Sequence, residues 1–404
     1  MSKGGFSKAR LKHMRQVLSG HVERGMVPGM VTLIARRGEV HVEALGAQGF
    51  GGAPMRRDTI FRIASMTKPI VAVAAMMLVE DCKLALDEPL DLLLPELADR
   101  KVLKRPDGPI DEVEPARRPL TLRDLLTFRL GWGAVGVDLM GMAGLPIQQA
   151  MNEHGIFRLP PGSPHAPDEW MRRLGTLPLI HQPGEVWMYH TGYDVLGVLI
   201  ARVCGQPLGD FLKDRIFDPL GMKDTGFTVP PDKLKRLSSC YHLNLTTGGL
   251  EVFDDAKDSQ WRREPVFPQG GGGLVSTADD YLAFGQMLLN KGVHAGGRLL
   301  SRPTVEAITS DQITQAQKDA SPFFPDFWDT WGWGLGVSVV NRRNGIDTTP
   351  GQFGWDGVFG TSWRSDPAED MVGVMLAQRM DFVFPTVSRL YTDFWTSAYQ
   401  AIDD

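Results

Sequence analysis

Apolar positions follow one rhythm near the two ends of the chain and another in its middle. Leu11, Met14, Val17, Leu18 and Val22 recur at helical spacing, which predicts an amphipathic opening helix ending near Gly25. Met30–Ala35 is a continuous apolar run of strand length, and Val40–Leu45 alternates apolar with polar across the turn Arg36-Arg37-Gly38-Glu39. Together they predict a hairpin. The run Ile70–Val79 has no polar face and predicts a buried helix. From Leu84 to about Val266 strand signals are few and helical ones many. Leu120–Phe128 reads as a helix capped by Thr121, with Asp124 completing the capping pattern. Further helices are expected over Asp194–Val203 and residues 208–219. Beyond them, Gln269–Gly273 is glycine-rich enough to be a backbone crossing too tight for side chains, followed by a helix over Ala278–Leu289 with Ser276 or Thr277 as cap. Gly334–Val340, Gly357–Arg364 and Met371–Ala377 read as strands, and Thr386–Ala401 as a closing helix.

Strands at both ends with helices between predict an α/β (α+β) fold: a mostly antiparallel sheet built from both termini, flanked by helices, with an all-helical insertion. The sheet domain would comprise residues 1–83 and 267–404, the insertion residues 84–266, and a site would lie in the cleft between them.

Composition narrows the function more by exclusion. The 404 residues are 43% hydrophobic with a net charge of −5, so no basic field points to nucleic acid or an anionic membrane. The three cysteines, Cys82, Cys204 and Cys240, are too sparse for a disulfide framework and fit a reducing compartment. No metal-ligand spacing occurs, no apolar run reaches the length of a membrane span, and the first residues lack an apolar signal segment. The expectation is a cytoplasmic protein that needs no metal or organic cofactor.

The candidate chemistry sits at the head of the buried helix, in Phe61-Arg62-Ile63-Ala64-Ser65-Met66-Thr67-Lys68-Pro69. Residues three apart share a helix face, so Ser65 and Lys68 can hydrogen-bond directly. A serine hydroxyl needs a base beside it to become a nucleophile, and a lysine serves when burial or a neighbouring cation lowers its pKa. A plainer alternative has Ser65 as a helix cap and Lys68 as a solvated first-turn residue. Gly131-Trp132-Gly133-Ala134-Val135-Gly136 matches Gly-x-Gly-x-x-Gly but follows a helix, not a strand, so it is no dinucleotide fingerprint.

The order and spacing of several blocks decide between those readings: Phe61–Lys68, Thr121–Thr127, Pro183-Gly184-Glu185 running to Leu196-Gly197, Gly271–Thr277 and Phe353–Thr361. In these the chain resembles the serine β-lactamases and penicillin-binding proteins over roughly residues 10–400, most closely the class C β-lactamase-like proteins and the family VIII carboxylesterases. The resemblance implies that Tyr189 takes the tyrosine position of a Tyr-x-Asn motif, with Thr191 where the lactamases carry asparagine. Tyr193 competes, but the Asp194-Val195-Leu196-Gly197 register favours Tyr189. A phenol acts as a base only beside a cation, which Lys68 would supply. His190, next to Tyr189, could shuttle protons, but neighbouring side chains usually diverge, which favours a surface or structural role. The lactamase Lys-Thr-Gly is replaced by Trp355-Asp356-Gly357, as in family VIII esterases. A tryptophan can pack an acyl or alcohol group but cannot pair with a carboxylate. Asp356, pointing inward, would repel one.

The resemblance thus implies a serine hydrolase acting on small-molecule esters, with Ser65 as nucleophile, Lys68 and Tyr189 as base and acid, and the Ser65 and Val358 N–H groups as oxyanion hole. Trp355, Asp356, Gly357 and Thr191 would contact substrate. The alternatives are a β-lactamase or D-alanyl-D-alanine peptidase, an aminohexanoate-oligomer amidase, an acyltransferase, and a non-catalytic binding protein. Phe323–Trp333, dense in aromatics, either lines an apolar pocket or packs a loop on the sheet.

Overall fold

The computed structural model describes residues 3–133, 145–156, 162–244, 246–321, 323, 326–380 and 389–404. Among them a seven-stranded antiparallel sheet runs in the spatial order Trp331–Trp333, Ser338–Val340, Phe353–Gly357, Thr361–Asp366, Met371–Leu376, Gly29–Arg36, Glu39–Gly46. The N-terminal hairpin therefore joins the C-terminal strands edge to edge, with Val31 opposite Leu376 and Arg36 opposite Met371. The period-two alternation of a strand sorts its side chains between two cores. Val31, Leu33 and Ala35 point into one apolar cluster with the helix Thr67–Glu80. Met30 and Ile34 point into another, closed by the helices Lys8–Glu23 and Leu390–Gln400.

The helix Thr67–Glu80 runs through the larger core. Every residue from Thr67 to Leu78 is buried, so the absence of a polar face in its sequence reflects neighbours on all sides. The apolar cluster that contains this helix also includes Val374 and Leu376 of the sheet and Leu125 and Leu196 of the middle segment, so a single core spans the two. The middle segment is mainly helical with two short hairpins, Lys101–Leu103 with Val113–Pro115 and Cys240–Leu243 with Leu250–Asp254. Leu122–Leu126 begins with the expected capping box, Thr121 and Asp124 each satisfying the other's backbone N–H.

Several boundaries differ from the sequence reading, among them the strand expected over Gly334–Val340, which is paired only over Ser338–Val340. The stretch Gly357–Arg364 is not one strand: the chain reverses at Val358-Phe359-Gly360, with Gly360 at φ 79° donating its N–H to the Gly357 carbonyl. Phe353–Gly357 and Thr361–Asp366 are the two arms of the resulting hairpin. The helix expected from Asp194 begins at Thr191, which draws Tyr193 and Asp194 into its first turn. The closing helix is Leu390–Gln400, and the expected residues 386–388 lie outside the described residues. The same holds for Ala134, Val135 and Gly136 of the discounted glycine motif.

The approach to Ser65 is fastened before the helix begins. Phe61 and Arg62 pair with Ser276 and Val275, and the Ile63 N–H donates to the Leu274 carbonyl at 3.0 Å. The Arg62 side chain is fully buried. Its guanidinium pairs with Asp254, donates to the Ser238 carbonyl at 2.6 Å and to Ser259 at 3.0 Å, and lies over the Trp261 ring. Ala64 then adopts φ 45°, a left-handed conformation that costs an alanine ~1–2 kcal/mol and turns the chain from strand to helix.

Removing one partner of a buried ion pair leaves the other charge stranded. Arg62→Met is therefore expected to destabilise the fold by about 3–5 kcal/mol in urea titration. The double substitution with Asp254→Leu should recover much of that loss. A single substitution costing under about 1 kcal/mol would contradict this role.

Candidate active site

Ser65 lies in the short 3-10 turn Ala64–Met66 that runs into the buried helix. Two neighbours hold this turn still: the Tyr281 phenol donates to the Met66 carbonyl at 2.7 Å, and the Leu274 N–H donates to the Thr67 hydroxyl at 3.2 Å. One helical turn on, the Lys68 side chain is wholly buried, and its Nζ stands 2.9 Å from Ser65 Oγ. Two further acceptors surround that nitrogen, the Gly271 carbonyl at 2.5 Å and His190 Nδ1 at 3.3 Å. The face of the Tyr189 ring closes over it, 4.6 Å from Nζ to the centroid.

Tyr189 meets Ser65 from the other side. Its phenol hydrogen-bonds to Ser65 and accepts the Trp355 indole N–H at 2.6 Å. The Tyr189 ring stands in an aromatic wall of Phe128, Trp187, Phe323 and Trp355. Trp333 braces the Trp355 indole edge-on at 4.7 Å. Of the two readings of the aromatic stretch, Phe323 and Trp333 thus belong to the wall of the site, whereas Trp331 stacks on Arg364. Phe324 and Pro325 lie outside the described residues.

Burial sets the protonation states. It drives the Lys68 pKa down from 10.5 to about 7, against the pull of the Asp194 carboxylate. It pushes the Tyr189 phenol above its ordinary 10, although the hydrogen bonds from Ser65 and Trp355 favour the phenolate. The His190 imidazole is held below its usual range by burial and by Lys68. Near neutral pH the stable state is therefore an amine or ammonium beside a protonated phenol, not a lysine–phenolate ion pair.

The structure brings Ser65, Lys68, Tyr189 and Trp355 together and distributes the other expected residues around them. Gly357 lies where the strand edge meets the nucleophile turn: a Cβ there would stand 2.3 Å from the Ile63 carbonyl oxygen and 2.2 Å from Thr361 Oγ1, so only glycine fits. Val358 follows it into the turn between the two strands. Asp356 faces away from the cleft, because alternate residues of a strand point to opposite faces. Its carboxylate accepts from Ser362 at 2.6 Å and from Tyr391 at 3.0 Å, and lies 3.6 Å from Arg364. The expected substrate contact at Asp356 is thereby corrected: the residue fastens the strand to the closing helix. Thr191 is buried in the first helical turn and, among the described residues, makes none of the contacts that join Ser65, Lys68, Tyr189 and Trp355.

The sequence reading left out the second layer. His190, expected in a surface or structural role, is buried against Lys68, and its Nε2 lies 3.3 Å from Asp194 Oδ2. Asp194 Oδ1 accepts the Gly271 N–H at 2.9 Å, which places the Gly271 carbonyl side of the crossing over Lys68. A Cβ on Gly271 would come within 2.9 Å of Asp194 Oδ1, so the glycine run is what lets this segment approach. The available signal was the i, i+4 spacing of His190 and Asp194, visible only once the helix is started at Thr191.

Comparison with known proteins places the chain among related sequences and folds. A family profile described as Beta-lactamase matches residues 14–393. Protein Rv1367c of Mycobacterium tuberculosis is 39% identical over 88% of this chain and 87% of its own length. Esterase EstB of Burkholderia gladioli is 33% identical over 86% of this chain and 84% of its own length. Among solved structures, EstCE1, described as a hydrolase with promiscuous acyltransferase activity, superposes with a TM-score of 0.77 at 25% identity, covering 97% of this chain and 99% of that one.

The Lys68 proton also links stability to pH. Below about 7 both folded and unfolded chains carry the ammonium, and the folded state bears its full burial cost. Between about 7 and 10.5 the unfolded chain still holds the proton that the folded chain has released, so Lys68 contributes rising stability across that window. Lys68→Met is expected to flatten this part of the stability profile, measured by urea titration at a series of pH values. An unchanged slope would show that the folded lysine keeps an ordinary pKa.

Proposed function

The chain belongs to the beta-lactamase family, and on that premise we propose that it is a serine esterase working through an acyl-enzyme on Ser65. The observation that carries this reading is the single contact set at Ser65: a fully buried lysine amine at 2.9 Å and a tyrosine phenol hydrogen-bonded to the same oxygen. The neutral Lys68 amine takes the Ser65 proton as Oγ bonds to the acyl carbon. The carbonyl oxygen gains the negative charge and is received by the Ser65 and Val358 N–H groups. Tyr189 gives its phenol proton to the departing alkoxide and recovers one from the Lys68 ammonium. Water then attacks the acyl-enzyme, passes its proton to the same pair, and Ser65 leaves with one.

Trp355 directs the substrate class. It presents an indole where a carboxylate-bearing substrate would need a cation, and it is tied to Tyr189. The small-molecule substrate proposed is therefore a neutral ester with an apolar group against the aromatic wall. EstB's name as an esterase supports this reading. EstCE1's description supports a second outcome at the same acyl-enzyme, in which another alcohol replaces water.

Three measurements test the proposal. Ser65→Ala should abolish labelling by a fluorophosphonate probe and lower kcat on p-nitrophenyl butyrate by at least about 10³-fold, and Lys68→Ala should do nearly as much. Absence of probe labelling in the wild type would sink the enzyme reading, and nitrocefin turned over faster than the p-nitrophenyl ester would move the substrate class to β-lactams. With Lys68 as base, kcat/KM should rise with pH around a midpoint near about 7, with no falling limb below pH ~10 because the phenol is held above its ordinary value.

A further inference from the structure

Within the esterase reading above, on which this inference rests, we propose that His190 is a positioning residue that aims the lone pair of Lys68 at Ser65, with Asp194 fixing the imidazole tautomer that makes this possible. The geometry of the three acceptors around Lys68 carries the inference. A lysine ammonium has three N–H donors and no acceptor. The acceptors number three as well: Ser65 Oγ at 2.9 Å, the Gly271 carbonyl at 2.5 Å and His190 Nδ1 at 3.3 Å. When the proton leaves, two N–H bonds and one lone pair remain. The Gly271 carbonyl can only accept, so it keeps one N–H. His190 Nδ1, if unprotonated, can also only accept, and keeps the other. The lone pair is then left pointing at the Ser65 hydroxyl, the orientation a general base needs.

The arrangement requires the proton of a neutral His190 to be on Nε2. Asp194 supplies that preference, with Oδ2 3.3 Å from Nε2, while its Oδ1 is occupied by the Gly271 N–H at 2.9 Å. The same carboxylate therefore orients both of the groups that grip the amine. Among the described residues, the charged groups that act on His190 include Lys68 and Asp194, with the Tyr189 ring beside it at 6.1 Å between centroids. The backbone adds a separate observation. His190 adopts φ 87° and ψ −67°, a strained turn for a residue with a side chain. This turn brings the imidazole and the Tyr189 ring to the same lysine, although adjacent side chains ordinarily diverge.

The test compares His190→Ala with His190→Asn. Both retain a Cβ and so the same backbone strain, but the asparagine amide oxygen can occupy the place of Nδ1. His190→Ala should lower kcat on p-nitrophenyl butyrate by about 10–100-fold with KM little changed. It should also move the rising limb of the pH profile downward, since the ammonium has lost an acceptor. His190→Asn should recover at least about tenfold of kcat. Asp194→Asn, which donates to Nε2 and forces the proton onto Nδ1, should impair kcat at least as much as His190→Ala. Nitrogen-15 NMR of histidine-labelled wild type, which needs no variant to fold, should show a neutral His190 with bare Nδ1. Equal kcat and pH profiles for the alanine and asparagine variants, or a wild-type Nδ1–H tautomer, would overturn the inference while leaving probe labelling of Ser65 intact. A wild type that the fluorophosphonate does not label would overturn the esterase reading along with it.

Discussion

An amine without solvent is the constraint from which the rest of this site follows. Lys68 has no exposed surface, and a buried ammonium is tolerated only where its N–H groups find acceptors. The fold meets that demand mostly with neutral groups: a hydroxyl, a backbone carbonyl, an imidazole nitrogen and the face of a phenol ring. Asp194 stands behind this shell, bonded to His190 and Gly271 but not to the amine, and attracts the cation from there. Had a carboxylate touched the amine directly, the lysine would have kept its proton and been useless as a base. The surroundings satisfy the charge without making it permanent.

The second demand is rigidity at the strand edge beside Ser65. Gly357 lets the Phe353–Gly357 strand approach the Ile63 carbonyl, and the Thr361 hydroxyl donates to the same carbonyl at 3.2 Å. Trp355 and Asp356 divide the labour across the two faces of that strand. The indole reaches Tyr189, while the carboxylate is anchored to Ser362, Tyr391 and Arg364. Arg364 is in turn enclosed by the rings of Trp331, Tyr391 and Trp395. The position of the Tyr189 phenol is thus linked through one strand to packing on the far side of the sheet.

Much of this was legible in the residues, for identifiable reasons. The opening hairpin, the polar-free helix and the Thr121–Asp124 capping box are local patterns whose physics is complete within a dozen residues. The resemblance carried Tyr189 and Trp355 to the site because those positions sit in ordered blocks. What escaped depended on backbone geometry that composition does not announce. The reversal at Val358-Phe359-Gly360 interrupts a run that otherwise alternates like a strand. The positive φ of His190 defeats the expectation that neighbours point apart. Asp356 was misplaced because the face of a strand residue depends on register, and the register was not settled without the hairpin turn.

The central pairing of the sheet also has a bearing on when the protein becomes an enzyme. Gly29–Arg36 lies between Glu39–Gly46 and Met371–Leu376, so the strand nearest the start of the chain finds one of its two partners only near the end. Such distant pairing is slow to form, because the intervening chain must be ordered before the contacts compensate. During synthesis Ser65 and Lys68 leave the ribosome early, but the Gly271 carbonyl that meets the lysine, and the apolar cluster around its helix that extends to Val374 and Leu376, follow much later. A lysine not yet enclosed keeps its ordinary pKa, so the Ser65–Lys68 pair takes on its folded character only after most of the polypeptide has been made.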